Sequence, residues 1–261
     1  MKPVCYDLFC GLGGWSEGFL LEGYRCVGFD IEAHDYGTGG YPGELRIRDI
    51  RSIHGSELKD ATCIVASPPC QEYSYMAMPW SKAKAKEAAI LADRSGAAMA
   101  RLNDLFNHCF RIQREAIEAA GHHIPLIVEN VRGAQKWVGK AAWHVGSFYL
   151  WGDVPALMPN MTHVKAPGQN WNAFKKTGNV SGHWRLQGLK PPSVRPWGDA
   201  VKQGGARSDW FSKEARDAGA SARFSSRSPQ RKAAAAMIAK IPLPLSQHIA
   251  RCYKSQKVEA L

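Results

Sequence analysis

The stretch VCYDLFCGLGGWSEGF, residues 4–19, decides the fold. It opens as an apolar run of strand length and breaks at Gly11-Leu12-Gly13-Gly14. It then resumes with apolar residues spaced for a helix at Trp15, Phe19 and Leu20. A strand that feeds a helix through a glycine turn begins a βα unit, and in open parallel sheets ligands bind outside the carboxyl ends of the strands. Gly11, Gly13 and Gly14 let a ligand approach bare backbone there. A dinucleotide fingerprint beginning at Gly11 needs a third glycine where this chain has Ser16, which excludes a nicotinamide-dependent oxidoreductase.

Working outward, YRCVGFDIE (24–32), ELRIRDI (44–50), DATCIVASPP (60–69), HIPLIVENV (123–131) and SFYLW (147–151) read as a second to a sixth strand. Residues 83–93 and 97–120 read as helices, with Leu102, Leu105, Phe106, Phe110, Ile112 and Ile117 as core candidates. Strands alternating with helices imply an α/β, Rossmann-like fold with a mostly parallel sheet covered on both faces. After Trp151 the periodicity fades into Pro, Gly, Asn, Trp and basic residues, then returns in SPQRKAAAAMIAKIPLPLSQHIARCYKSQ (228–256) as two helices interrupted by Pro242 and Pro244. The division expected is a catalytic and cofactor-binding domain over 1–151, a small irregular basic domain over 152–228, and C-terminal helices over 229–261 that return to the first.

Composition narrows the classes. The 261 residues carry a net charge of +11, and residues 154–232 alone hold fourteen Lys and Arg against four acids. A concentrated basic segment points to a polyanion partner, or more plainly to a solvated charged surface. Seven cysteines, without CxxC pairing, argue against a disulfide framework or a structural zinc site, so no metal is expected. The chain has no apolar run of about 18 residues and no signal-peptide start, which predicts a soluble cytoplasmic protein.

Three strand ends carry the chemistry. Asp30 or Glu32, after the second strand, would accept a ribose hydroxyl pair. Asp49, after the third, would either accept from an exocyclic adenine amine or cap a helix. The fourth delivers Cys70 behind Pro68 and Pro69, whose ring fixes the backbone before the sulfur. The fifth ends in Glu129-Asn130, so a carboxyl arrives at the same sheet edge as a thiol, which suggests a nucleophile paired with an acid.

In order, DLFCGLGG, FDIE, RDI, SPPCQEYS and ENV make the chain resemble the DNA (cytosine-5) methyltransferases, over residues 5–131. FYLWGD and AKIPLPL resemble the compact phage-type branch, which implies an orphan enzyme or a restriction-modification partner, phage-encoded, in a bacterial or phage-infected cell. The resemblance implies S-adenosylmethionine as cofactor and a monomer acting on double-stranded DNA. Phe9, Gly11, Leu12, Gly13 and Gly14 would line the methionine and adenosine. Asp30 would hold the ribose, Ile31 would pack on the adenine, and Asp49 with Ile50 would recognise its edge. Cys70, placed by Pro69, would attack carbon 6 of a flipped-out cytosine. Glu129 would bond ring nitrogen 3 and the exocyclic amine, and Asn130 would hold the cysteine loop. DNA contacts are expected from Gln71, Ser74, Lys82, Lys84 and Arg132, and from Arg185, Arg195, Arg207, Arg223 and Arg227 in a target recognition domain.

The chain also departs from the family. The Gln-x-Arg-x-Arg element that contacts the cytosine 2-oxo group is replaced by WHVGSFYLW (143–151), leaving His144, Ser147 and Arg132 as candidates for that contact. The late Gly-Asn-x-Val-Pro element reads IAKIP (238–242), which brings Lys240 towards the cofactor position. Lys240 would either face solvent or DNA, or pair with a carboxylated S-adenosyl cofactor so that a carboxymethyl group is transferred. A DNA-binding relative with impaired catalysis is a further alternative. RNA methylation is disfavoured because no Cys-Phe-Thr element follows the cysteine loop.

Overall fold

The computed structural model describes residues 2–35, 39–74, 80–159, 161, 236 and 239–254. Among them the chain forms β1 (Val4–Leu8), α1 (Gly14–Leu21), β2 (Arg25–Asp30), β3 (Glu44–Ile47), β4 (Cys63–Ala66), α2 (Trp80–Ala92), α3 (Ala97–Ala120), β5 (Leu126–Asn130), the single-turn α4 (Gln135–Val138), β6 (Trp143–Val145), β7 (Phe148–Gly152) and α5 (Leu243–Tyr253). The chain divides into two compact units, one of Met1–His34, Gly40–Thr162 and Ile241–Leu261, the other of Asp35–Gly39 and His163–Lys240. All these elements lie in the first unit.

The strands form one sheet in the order β3-β2-β1-β4-β5-β7-β6. β3, β2, β1, β4 and β5 run parallel, and β7 runs antiparallel to both of its neighbours. This is a Rossmann-like α/β fold with a mostly parallel sheet. The central strands β1, β4 and β5 are buried along nearly their whole length, as a parallel sheet covered on both faces requires.

The register separates the two faces. Tyr6, Leu8, Val27, Phe29, Ile64, Ala66, Leu126 and Val128 share one, packed with Phe106, Cys109, Ile112 and Ala116 of α3 in the main core. Burying each large side chain there contributes about 1.5–3 kcal/mol. The other face carries Cys5, Asp7, Cys26, Cys63, Val65, Ile127 and Glu129, on the side where α1 packs on β1, β2 and α5. Gly18 lets α1 and α5 meet closely, because a Cβ there would lie 2.2 Å from Ser246 Oγ. The Ser246 hydroxyl donates to the Trp15 carbonyl, and Tyr24 donates to the Ala250 carbonyl at 2.9 Å.

Two expectations need correction. The segment 147–151 lies in the seventh strand, because a short β6 precedes it. At three partly exposed residues, β6 has too little alternation to be legible. Pro244 does not interrupt a helix: α5 starts at Leu243, with Pro242 at its N-cap and Pro244 in its first turn. The first turn of a helix has no acceptor for its N–H groups, so proline fits there.

Candidate active site

The glycine turn leaves β1 in left-handed backbone at Phe9 (φ 59°), Gly11 (φ 49°) and Gly13 (φ 73°). Gly13 cannot carry a side chain, since a Cβ would lie 2.3 Å from Pro42 Cδ. At Gly11 a Cβ would meet nothing within 4 Å, so that backbone is open. Gly14 starts α1, and Leu12 is buried. Asp30, at the end of β2, ties the turn in place: Oδ2 accepts from Gly11 N at 2.9 Å and Oδ1 from Ile31 N at 2.8 Å. Next to it the apolar Ile31 is 68 % exposed, and Ile47, paired with Asp30 in the sheet, is 52 % exposed.

Beneath the turn lies a polar chain with no signature in the sequence. Ser16 Oγ donates to Asp7 Oδ2 at 2.7 Å and lies 2.6 Å from Tyr41 Oη. Asp7 Oδ1 is buried with no partner. Burial pushes the Asp7 carboxyl up to about 8, against the lowering effect of the Ser16 hydroxyl.

Asp49 caps the 3₁₀ turn Ile50–Ser52, accepting from Arg51 N at 2.9 Å, and its other oxygen lies 3.3 Å from the Arg51 guanidinium. That backbone hydrogen bond, ahead of the Arg51 charge, holds its carboxyl below the usual range. Ile50 is buried in the core, 1 % exposed as a whole residue.

Cys70 sits on the segment that follows β4, partly exposed. Its carbonyl accepts from Tyr73 N and Ser74 N, both at 3.0 Å. Tyr73 is buried, with its hydroxyl 3.0 Å from Asn103 Oδ1 of α3, and this fixes the chain directly after the cysteine. Asn130 Nδ2 donates to the Pro68 carbonyl at 2.9 Å, bracing the two-proline approach from β5. Pro69 and Gln71 are exposed and Ser74 is partly so.

Glu129, one residue before Asn130, lies on the sheet's other face by strand alternation. It keeps partial exposure, but the protein packed around it desolvates the carboxyl and pushes it up to about 8. The Ser67 side chain opposes that rise. Burial raises the Cys70 thiol above its usual value, and the Glu129 charge raises it further. The thiol and the carboxyl are therefore coupled across adjacent strands.

Two residues missed in the sequence join this group. Trp15 Nε1, at the start of α1, donates to Ser67 Oγ at 3.1 Å. Strand alternation beyond β4 could have identified Ser67, because the pairs Val65–Ile127 and Ala66–Val128 place it beside Glu129. Trp15 depends on helix packing and had no local signal.

Of the candidates for the 2-oxo contact, His144 is exposed on β6 and stacks on Tyr149 at 4.6 Å and 12°. Through Tyr149 it shares Asn130's face and not Glu129's. Ser147 is exposed between β6 and β7, and Arg132 is exposed just beyond Asn130. Lys84 is exposed on α2, and Lys82 lies on the same helix. Lys240 is partly buried and falls in the second unit. Arg185, Arg195, Arg207, Arg223 and Arg227 lie outside the described residues. Among the described residues there is no cluster of three or more metal-ligating side chains, and no helix is long and apolar enough to cross a membrane.

The family model for C-5 cytosine-specific DNA methylase matches residues 4–136, from the first strand past the Glu-Asn-Val element. The chain belongs to this family. No curated protein sequence matches the chain. Among solved structures, a DNA modification methyltransferase encoded within an E. coli prophage is similar at 22% identity and TM-score 0.35, over 53% of this chain and 35% of that one. An Entamoeba histolytica methyltransferase is similar at 17% identity and TM-score 0.33, over 53% and 41%. The S. pombe Dnmt2 methyltransferase is similar at 15% identity and TM-score 0.31, over 53% and 37%. The chain thus spans 35–41% of the length of these three structures. Within the family match, the glycine turn and the Cys70–Glu129 pair come together at one sheet edge.

Proposed function

We propose that the chain is a DNA cytosine-5 methyltransferase that uses S-adenosylmethionine, with Cys70 as nucleophile and Glu129 as the acid beside it. The observation that carries this reading is the placement, within the family match, of Cys70 on the segment after β4 and Glu129 on the neighbouring parallel strand β5, at the same sheet edge as the open glycine turn.

The residues at the turn fit the cofactor. Gly11 offers uncovered backbone, Ile31 is an apolar side chain left exposed as a purine face would use it, and Asp30 is a carboxylate between them. Asp30 would hold the ribose, Ile31 the adenine plane, and Asp49 the adenine edge. Phe9 and the glycines would border the methionine portion. S-adenosylmethionine, when bound, supplies an electrophilic methyl group to carbon 5 of the base.

This chain's residues prepare that carbon. The target atom is unreachable inside a duplex, so the base must be flipped out at a cost of a few kcal/mol. The Cys70 thiolate then adds to carbon 6, which makes carbon 5 enamine-like, while protonated Glu129 gives its proton to ring nitrogen 3. A protonated Glu129 also removes the neighbouring charge that disfavours the thiolate, so one proton serves both steps. Once solvent water has taken the carbon-5 proton, the carbon 6–sulfur bond breaks and expels the Cys70 thiolate, and Glu129 takes back the nitrogen-3 proton. Asn130 holds the Cys70 segment through Pro68 during these steps. Residues 152–228 would serve as the target recognition domain, with their arginines on phosphates and base edges.

The test is transfer of a labelled methyl group from S-adenosylmethionine to a duplex pool of varied sequence, followed by nucleoside analysis. Label in 5-methylcytosine that disappears in Cys70→Ser supports the reading. Label in another base, or transfer unchanged by Cys70→Ser, overturns it.

A further inference from the structure

Glu129 has to present its proton to one edge of a flipped base, so something must hold its carboxyl group. Two residues that the function above does not use stand behind it. Ser67 lies one step past the Ala66–Val128 pair, which places it beside Glu129 on the α1 face. Its backbone N–H is fixed on the Leu8 carbonyl at 3.1 Å, and its Oγ accepts from Trp15 Nε1 at 3.1 Å. Trp15 is buried, and its own carbonyl accepts from Ser246 of α5.

An indole N–H can only donate, and a hydroxyl carries a single proton. With Trp15 occupying a lone pair of Ser67 Oγ, the serine proton is left to turn towards Glu129, which the strand register sets beside it. We propose that Trp15 and Ser67 are positioning residues: the indole sets the direction of the Ser67 hydroxyl, and that hydroxyl holds one Glu129 oxygen so that the other faces the base. This rests on the methyltransferase reading. It also gives the cofactor turn a physical link to the acid, because Trp15 follows Gly13-Gly14 directly.

Among the described residues, the groups facing Glu129 are few. The segment after β4 presents Ser67 and the titratable Cys70, α1 presents the uncharged Trp15 through Ser67, and β7 presents the apolar Leu150 opposite Glu129. Loss of the serine donor therefore acts on Glu129 without a competing cation among these groups.

The experiment is a carbon-13 NMR titration of the glutamate carboxyls in the full chain, with the Glu129 signal assigned by its loss in Glu129→Gln. Ser67→Ala should raise the Glu129 midpoint by about one pH unit, since a hydrogen bond to the charged form is removed. Ser67→Thr, which keeps the hydroxyl, should stay at the wild-type midpoint. Trp15→Phe should raise the midpoint by less, and should add nothing in the Ser67→Ala background. Turnover in Ser67→Ala should fall about tenfold with little change in KM for DNA. A wild-type midpoint in Ser67→Ala, or a Trp15→Phe shift of full size in that background, would overturn the proposal. A wild-type chain that methylates no cytosine would instead sink the methyltransferase reading, while the titration would still report on the Trp15–Ser67–Glu129 chain.

Discussion

The Glu129 charge makes the Cys70 thiolate less favourable, and this has a measurable sign. Burial is the larger cause of the raised thiol, and the carboxylate adds to it. Glu129→Gln removes the second cause, so the Cys70 midpoint should move down. Iodoacetamide rates across pH, read on the Cys70 peptide in a Cys252→Ser background, should show that shift, and an unchanged midpoint would deny the coupling. Asp7 offers a second test. Its carboxyl is raised from the ordinary carboxylate range in the unfolded chain to about 8 when folded. The folded state then prefers the protonated form, so this contribution is complete below about pH 4 and fades as pH rises through 8. The Tm of wild type should fall across that window, and Asp7→Asn should flatten the fall. Cys70 and Glu129 were legible because each closes an apolar strand in a distinctive tripeptide. Asp7, Tyr41, Ser67 and Trp15 were not, since their roles come from contacts between elements distant in the chain.

At the scale of elements, α1 carries the glycine turn at one end and rests on α5 along its length. Gly18 marks their closest approach, with Ser246 Oγ 2.2 Å and Gln247 N 2.5 Å from a built Cβ. Alanine in a helix interior normally gains up to about 1 kcal/mol over glycine. Overpacking against a neighbouring backbone costs about 1–3 kcal/mol, so the clash wins. Gly18→Ala should lower the urea midpoint without changing its slope, and a stabilised variant would contradict the packing described. The main strands and both long helices were readable from periodicity, with α3 matching 97–120. The edge strand β6 and the opening of α5 were not, because a three-residue strand has almost no pattern and a proline in a first helical turn looks like a breaker.

For the whole molecule, positive charge is concentrated in the sequence that follows β7. The fourteen Lys and Arg of residues 154–232 predict DNA binding dominated by phosphate contacts. Affinity should fall steeply with salt, and replacing Arg207, Arg223 and Arg227 with alanine should flatten the slope by about 0.9 for each phosphate no longer neutralised. An unchanged slope would assign those arginines elsewhere. The central claim is that Cys70 becomes covalently joined to a cytosine of duplex DNA. The most direct measurement uses duplexes containing 5-fluorocytosine, where the missing carbon-5 proton blocks elimination and traps the adduct. With S-adenosylmethionine present, a denaturation-resistant protein–DNA complex should form and should be absent in Cys70→Ser. A wild-type chain that binds the duplex pool and the cofactor yet yields no adduct would contradict the account.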